Sequence, residues 1–477
     1  MRVRIILVLL LILSLQIALR LPYLNEPLER DEGAYAYVAQ RILAGELPYR
    51  DAYDNKPPGV YYIYAGVFKV FGDTFSVLRN FTLFFSLLIT LSVFAVGYLI
   101  WGGAGGLISA FLYALFSGGP YVQGTSANTE TFMVFPLILA LFFFMLAVKK
   151  PADKLNLLIA GFFSGMALMI KQAAVFNFLA LLLFSFVLPG QDLKGRVKSG
   201  MVLFLGFMIA PVVFLLYFWL KGALPDLLKA AILDNLNFVG GRAWHWSYVP
   251  TILLRENSIL WILAISSAVY IFCQDRKFEL LVLAGWAIFS LAGVFAGKSF
   301  FGHYFIQVIP GLAILSSYAI TRFFDKPPDF LSRSIIYLSF FVLMLIILSF
   351  QIDFLLSSPD EISLKKYGIP NFVIAKPVAD YIKSNTRPED SIYVWGAEGE
   401  IYFYARRKSA SKYFYYYQLE KSEQLRLWLM EDLRRNEPKY LIWTNPAAGF
   451  AELSNHVSLN YGKDKSFGIW QIWKRKK

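Results

Sequence analysis

The chain has 477 residues, of which 57% are hydrophobic and 17% charged, and its formal net charge is +13. Its mean hydropathy of +0.51 excludes an ordinary soluble globular protein and points to a polytopic membrane protein. The single cysteine, Cys273, excludes an intrachain disulfide, and no Cys/His cluster marks a metal centre.

A membrane-crossing helix needs about 20 largely apolar residues. The first such run follows Arg2 and Arg4 and lacks a small-x-small cleavage site, so it is expected to stay as a first span. Further runs lie near 76–100, 104–120, 130–148, 155–170, 172–188, 200–220, 254–273, 279–296, 301–323 and 333–353. With the first, near 5–21, that makes eleven, and the tight pairs leave a range of ten to twelve. Basic residues alternate between loops. Lys149/Lys150/Lys154, Lys194/Arg196/Lys198, Arg276/Lys277 and Arg322/Lys326/Arg333 fall on the same side as the N-terminus, which the positive-inside rule makes cytoplasmic. The positive charge is therefore a topology signal and not a nucleic-acid signal. The division expected is a membrane domain over 1–355 and an extracytoplasmic α/β domain over 356–477. The first external loop, 22–75, is assigned with the membrane domain. In the tail, "VIAKPVADYIKSN" and "LEKSEQLRLWLMEDLRRN" read as helices, and "DSIYVWG" and "KYLIWTN" as strands.

The first external loop holds "RDEGAYAYVAQRILAGELPYRDAYDNKPPGVYY", Arg30 to Tyr62. Helical spacing of Tyr35, Val38, Ala39, Ile42 and Leu43 predicts a short helix stopped by Gly45. Pro57 and Pro58 predict the start of a second helix that ends at Gly72. Both helices are expected to lie in the membrane interface, with Asp31, Glu32 and Lys56 at their leading ends. Asp31 could be no more than an N-cap, and Lys56 could simply snorkel to headgroups. Later external segments add Glu130 after Asn128, Lys171 in a short turn, and Lys298, His303 and Tyr304 in "GKSFFGHYF". For these the bland readings are dipole complementarity and an ordinary aromatic-rich loop. Taken together, acids from the early loops and cations from the later ones collect on one membrane face. Acids can accept a proton or hold a metal, and cations can hold phosphate. That chemistry suits group transfer from a lipid phosphate to a hydroxyl or amine. A transporter or lipid flippase is the alternative, but it would show repeated halves and midplane polar groups, and neither is visible.

The segment from "RDEGAYAYVAQRI" through "DNKPPGVYYIYAGVFKVFG", with Glu130, Lys171 and "GHYFIQVIPGLAIL", resembles the GT-C glycosyltransferases. The nearer likeness is to the protein O-mannosyltransferase and lipid A aminoarabinose transferase superfamily. The resemblance implies a multi-pass enzyme of the cell membrane that moves a sugar from a polyprenyl-phosphate donor to an extracytoplasmic acceptor, with inversion. It implies Asp31 as general base or acceptor-positioning group and Glu130 as a second-loop acid, and Glu32 beside Asp31 is a further catalytic candidate. It implies Lys56 and Tyr304 as donor-phosphate ligands, and by their own chemistry Lys171, Lys298 and His303 are candidates for the same task. A divalent cation, Mg or Mn, is an open option, with Asp31 and Glu130 as its candidate ligands. Two positions depart from the aminoarabinose pattern, which has glutamate at Asn55 and arginine at Ala34.

Overall fold

The computed structural model describes residues 2–151, 153–247, 249–325, 338, 342, 345, 349, 351–420, 422–445 and 449–476. It divides into two compact units: Met1–Leu24, Arg79–Tyr217 and Leu236–Ser357 form the first, and Asn25–Leu78, Phe218–Asn235 and Ser358–Lys477 form the second. The first external loop therefore clusters with the tail, although the sequence reading assigned it with the spans.

Within the described residues five helices are long and apolar enough to cross a membrane: Val3–Asn25, Phe75–Phe116, Thr129–Lys149, Leu193–Leu220 and Phe278–Ala296. Shorter apolar helices run over Lys154–Ile170, Ala174–Ser185 and Ser258–Cys273. The chain is a multi-pass membrane protein. The two spans expected at 76–100 and 104–120 form one 42-residue run, interrupted at Gly102 (φ 72°). At 1.5 Å per residue such a run is about 63 Å long, twice the hydrocarbon thickness, so the break at Gly102 separates two crossings. The span expected near 333–353 lies for the most part outside the described residues.

Apolar matching does little to hold helices together in lipid, so close packing and polar contacts must do more. The first unit shows both. Gly161 and Gly165, spaced as small-xxx-small, let the Lys154–Ile170 helix approach the Leu193–Leu220 helix. A Cβ on them would lie 2.0 Å from the Leu203 carbonyl and 2.1 Å from that of Phe207. Gln16 supplies a buried polar tie. Its amide donates to the Ser86 hydroxyl at 3.3 Å, and Thr90 donates back to it at 2.7 Å.

In the second unit the tail forms a four-stranded sheet of order β1-β2-β4-β3, with β1 at Ile392–Trp395, β2 at Tyr440–Trp443, β3 at Tyr461–Phe467 and β4 at Trp470–Arg475. β1 and β2 are parallel, and β4 is antiparallel to both of its neighbours. The two expected strands are β1 and β2, joined by a crossover that contains the helices Gly399–Ala405 and Glu423–Asn436. β3 escaped the sequence reading because "YGKDKSF" is exposed and charged along most of its length and shows no apolar alternation.

The loop helix Arg30–Leu43 packs into this unit. Its residues Glu32 to Ala39 are all buried, which is more enclosure than an interfacial helix has. The cause is local. "GAYAYVA" offers small residues on the sides that meet other helices, and Gly33 touches backbone directly. A Cβ there would lie 2.3 Å from the Glu400 amide nitrogen on the Gly399–Ala405 helix. The loop's tyrosines form an aromatic core, with Tyr35 edge-on to Tyr61 and Tyr64 at 5.9 Å. A buried ion pair, Lys366 to Glu26 at 3.0 Å, ties the start of the loop to the tail.

Candidate functional site

In the first unit, four of the expected residues come together. Glu130 lies in the first turn of the Thr129–Lys149 helix and is 1% exposed. Its carboxylate pairs with the Lys171 ammonium and accepts a hydrogen bond from the Thr129 hydroxyl at 2.7 Å. His303 Nε2 stands 3.9 Å from the same carboxylate, and its Nδ1 shares a hydrogen bond with the Gln123 side-chain oxygen at 2.9 Å. The Lys171 ammonium also lies 4.1 Å from the centre of the Tyr304 ring, within cation–π range. Lys298 differs from these. Its ammonium donates to the Gly240 carbonyl at 3.3 Å, and its backbone takes a left-handed conformation (φ 58°).

The sequence reading missed Arg242. Its guanidinium donates to Ser299 at 2.6 Å and to the Tyr304 hydroxyl at 3.5 Å. Periodicity could not reveal it, since it lies outside any amphipathic pattern. The available signal was an arginine in a segment assigned to the external side, where the positive-inside rule makes arginine scarce. Asn128 stands just before Glu130, at the N-cap position of the Thr129–Lys149 helix. It is 1% exposed, and among the described residues neither end of its side-chain amide has a hydrogen-bond partner. A buried unpaired amide is costly and marks a place where a polar partner fits.

The backbone around these groups is locked. Glu256 accepts from the Tyr121 and Val122 amides at 3.1 and 2.9 Å. Arg20 donates to the Gly124 carbonyl at 2.6 Å and to Ser117 at 3.0 Å. Gly302 packs against the Tyr121 carbonyl so closely that a Cβ would lie 1.7 Å away. The loop that carries Gln123 and Asn128 is thereby fixed against the turn that carries His303 and Tyr304.

In the second unit, Asp31 is not the N-cap. That position is Glu29, which forms a capping box with Glu32. Glu29 accepts from the Asp31 and Glu32 amides at 3.1 Å, and Glu32 accepts from the Glu29 amide at 3.0 Å. Glutamate is outside the favoured N-cap set, so the cap reads two residues late from sequence, at Asp31. Relieved of capping, the half-buried Asp31 carboxylate makes no hydrogen bond or ion pair among the described residues. Glu32 is fully buried in its capping role. Burial pushes the Glu29 carboxyl well above the usual range, and the Asp31 and Glu32 charges push the same way.

Lys56 is half-buried and donates to the Asn55 side chain at 3.2 Å. Its carbonyl accepts from the Tyr49 hydroxyl at 2.7 Å, and the Asn55 carbonyl accepts from Asn235 at 2.9 Å. Asp54 beside them is buried and accepts from the Tyr415 hydroxyl. The "DNKPP" stretch is thus held on both sides of the lysine. Among the described residues no three His, Cys, Asp or Glu side chains gather as a metal-binding set. Glu130, one of the two candidate metal ligands, is already engaged by Lys171 and Thr129.

Comparison with known proteins agrees with this architecture. Residues 55–219 match the dolichyl-phosphate-mannose-protein mannosyltransferase family, and residues 375–476 match the C-terminal domain family of the putative competence-induced protein Ccs4. No curated protein matches the chain. Among solved structures, ArnT from Cupriavidus metallidurans bound to undecaprenyl phosphate superposes with a TM-score of 0.69 at 14% identity, over 99% of this chain and 97% of that one. The Archaeoglobus fulgidus oligosaccharyltransferase tethered to an acceptor peptide gives 0.60 at 15% identity, over 92% and 68%. The archaeal oligosaccharyltransferase AglB of the same organism, with an inhibitory peptide and a dolichol-phosphate, gives 0.58 at 15%, over 92% and 69%. The fold is that of the GT-C glycosyltransferases, as the first-loop resemblance implied.

Proposed function

We propose that this GT-C-fold membrane protein is an inverting glycosyltransferase that moves a sugar from a polyprenyl-phosphate donor to a hydroxyl or amine of an extracytoplasmic acceptor. The observation that carries the reading is the cation cluster at Tyr304: Lys171 lies over its ring and Arg242 donates to its hydroxyl, with Glu130 and His303 adjacent. A sugar–phosphate–lipid diester carries one negative charge, and the departing lipid phosphate gains a second. A site with cationic and hydroxyl donors binds the product-like state more strongly than the donor, which is the requirement for lowering the barrier.

In this reading Asp31 removes the proton from the acceptor as its oxygen or nitrogen attacks the anomeric carbon. The bond from that carbon to the phosphate oxygen breaks, the electron pair leaves with the lipid phosphate, and the proton ends on Asp31. Lys171, Arg242, Tyr304 and His303 of the first unit hold the phosphate. Lys298 is assigned only an outlying role, and Glu32 caps its helix. Support for Asp31 as base comes from its carboxylate, which makes no hydrogen bond or ion pair among the described residues. Support for the donor class comes from the solved relatives, whose ligands include undecaprenyl phosphate and a dolichol-phosphate. No step is assigned to a metal ion.

The test is transfer in membranes from a panel of labelled polyprenyl-phosphate sugars, followed by mass identification of the product. One donor class should be consumed, with inverted configuration in the product. Asp31→Asn should lower turnover by about 10²–10⁴-fold, the usual contribution of a general base. Movement of the lipid-linked sugar across the bilayer with no new glycosidic bond would instead identify a flippase.

A further inference from the structure

The second unit contains a cavity of about 440 Å³ that the proposed reaction does not use. Its walls come from Arg50 and Asp51 of the first loop, from residues 408–413, and from one face of the Glu423–Asn436 helix. The volume is in the range of small-molecule sites. On the helix, Trp428, Glu431 and Asp432 follow i, i+3, i+4 spacing and share a face.

Three features define what would fit. The lining charges cancel, with Arg50, Lys408 and Lys412 against Asp51, Glu431 and Asp432. Such a site has no net field to draw in phosphate or a charged peptide. Second, hydrogen-bonding capacity is left open. Ser411 donates to one oxygen of Asp432 at 2.7 Å, while the Glu431 carboxylate has no hydrogen bond or ion pair among the described residues. Third, Trp428 is 41% exposed, and its ring stacks on no other ring among the described residues. An exposed indole face beside the Glu431 carboxylate and the second oxygen of Asp432 offers one apolar surface and several acceptors.

We propose that this cavity is a binding subsite for a neutral saccharide. A pyranose has an apolar C–H face that covers an indole. Its hydroxyls can donate to Glu431 and Asp432 and accept from Arg50. A phosphate would leave the indole uncovered, and an extended peptide would need apolar side-chain pockets that this lining lacks.

The experiment uses full-length protein in nanodiscs, without any lipid-linked donor, titrated with mannotetraose, maltotetraose and chitotetraose and followed by saturation-transfer NMR and tryptophan fluorescence. At least one of these probes should bind. Trp428→Ala should weaken that binding about tenfold or more, Trp428→Phe by less, and Glu431→Gln by a few-fold. Trp428 and Glu431 are exposed, so these variants should keep the wild-type unfolding profile. Asp31→Asn should bind the probe like the wild type, which separates this inference from the transferase reading. The inference is overturned if none of the three saccharides binds, if Trp428→Ala binds as the wild type does, or if inorganic phosphate or a Ser/Thr-rich peptide displaces the saccharide from the cavity.

Discussion

Glu130 in the first unit and Glu400 in the second are both buried, at 1% and 0% exposure, yet their surroundings are opposite. Glu130 has an ammonium, a hydroxyl and an imidazole around it. Among the described residues neither oxygen of the Glu400 carboxylate has a hydrogen-bond partner in another residue, and Glu398 and Glu29 add negative charge nearby. Burial, and then Glu398, hold the Glu400 carboxyl well above its usual range. The first unit therefore spends its buried acid on organising cations. The second carries acids that are most stable when protonated, packed where the Arg30–Leu43 helix meets the tail.

The largest effect that would sharpen this contrast comes from breaking the compensated pair. Lys171→Met leaves Glu130 buried without its cation and should cost about 3–5 kcal/mol. Adding Glu130→Gln should restore most of that loss. Unfolding in mixed micelles measures both. If the single variant lost less than the double, Glu130 would not depend on Lys171.

The next effect is in the second unit and runs the other way. The Glu400 carboxyl is raised in the folded state, so its contribution is favourable below its unfolded value near 4.5 and is lost as pH rises towards the folded value. Wild-type stability should decline with pH from about 4.5 upward, by at most about 1.4 kcal/mol per pH unit for one proton. Glu400→Gln should remove that part of the slope and raise the unfolding midpoint at pH 7–8. An unchanged pH profile in Glu400→Gln would break the comparison.

The smallest effect concerns a neutral donor. Tyr304→Phe removes one hydroxyl from the cation cluster and leaves the ring that Lys171 covers. Polyprenyl-phosphate affinity should fall only about 2–10-fold, the value of one neutral hydrogen bond. A loss above a hundredfold would show that the ring, and not the hydroxyl, had been disturbed.

Much of this was legible in the chain. Hydropathy located nearly every helix of the first unit, because a helix in lipid must be apolar along its length. The "DSIYVWG" and "KYLIWTN" strands were legible because they are short and fully buried. The Glu130, Lys171, His303 and Tyr304 grouping was visible only as charges assigned to one face. Three things were not legible. Arg242 lies in irregular backbone. The Glu29 cap uses an uncommon residue. The clustering of the first loop with the tail depends on Gly33 meeting the backbone of Glu400, a contact between residues far apart in sequence. No local pattern encodes such a pairing.

The central claim is that the first unit's cations hold a lipid phosphate, and affinity tests it most directly. Full-length protein in nanodiscs would be titrated with undecaprenyl phosphate and with dolichyl phosphate by native mass spectrometry. The comparison would be wild type, Arg242→Gln, and Lys277→Gln, whose side chain pairs elsewhere with Asp275 at 3.6 Å. The account predicts a loss of about 10–100-fold for Arg242→Gln, the value of a charge-assisted hydrogen bond, and no change for Lys277→Gln. Equal affinity for wild type and a well-folded Arg242→Gln would contradict it.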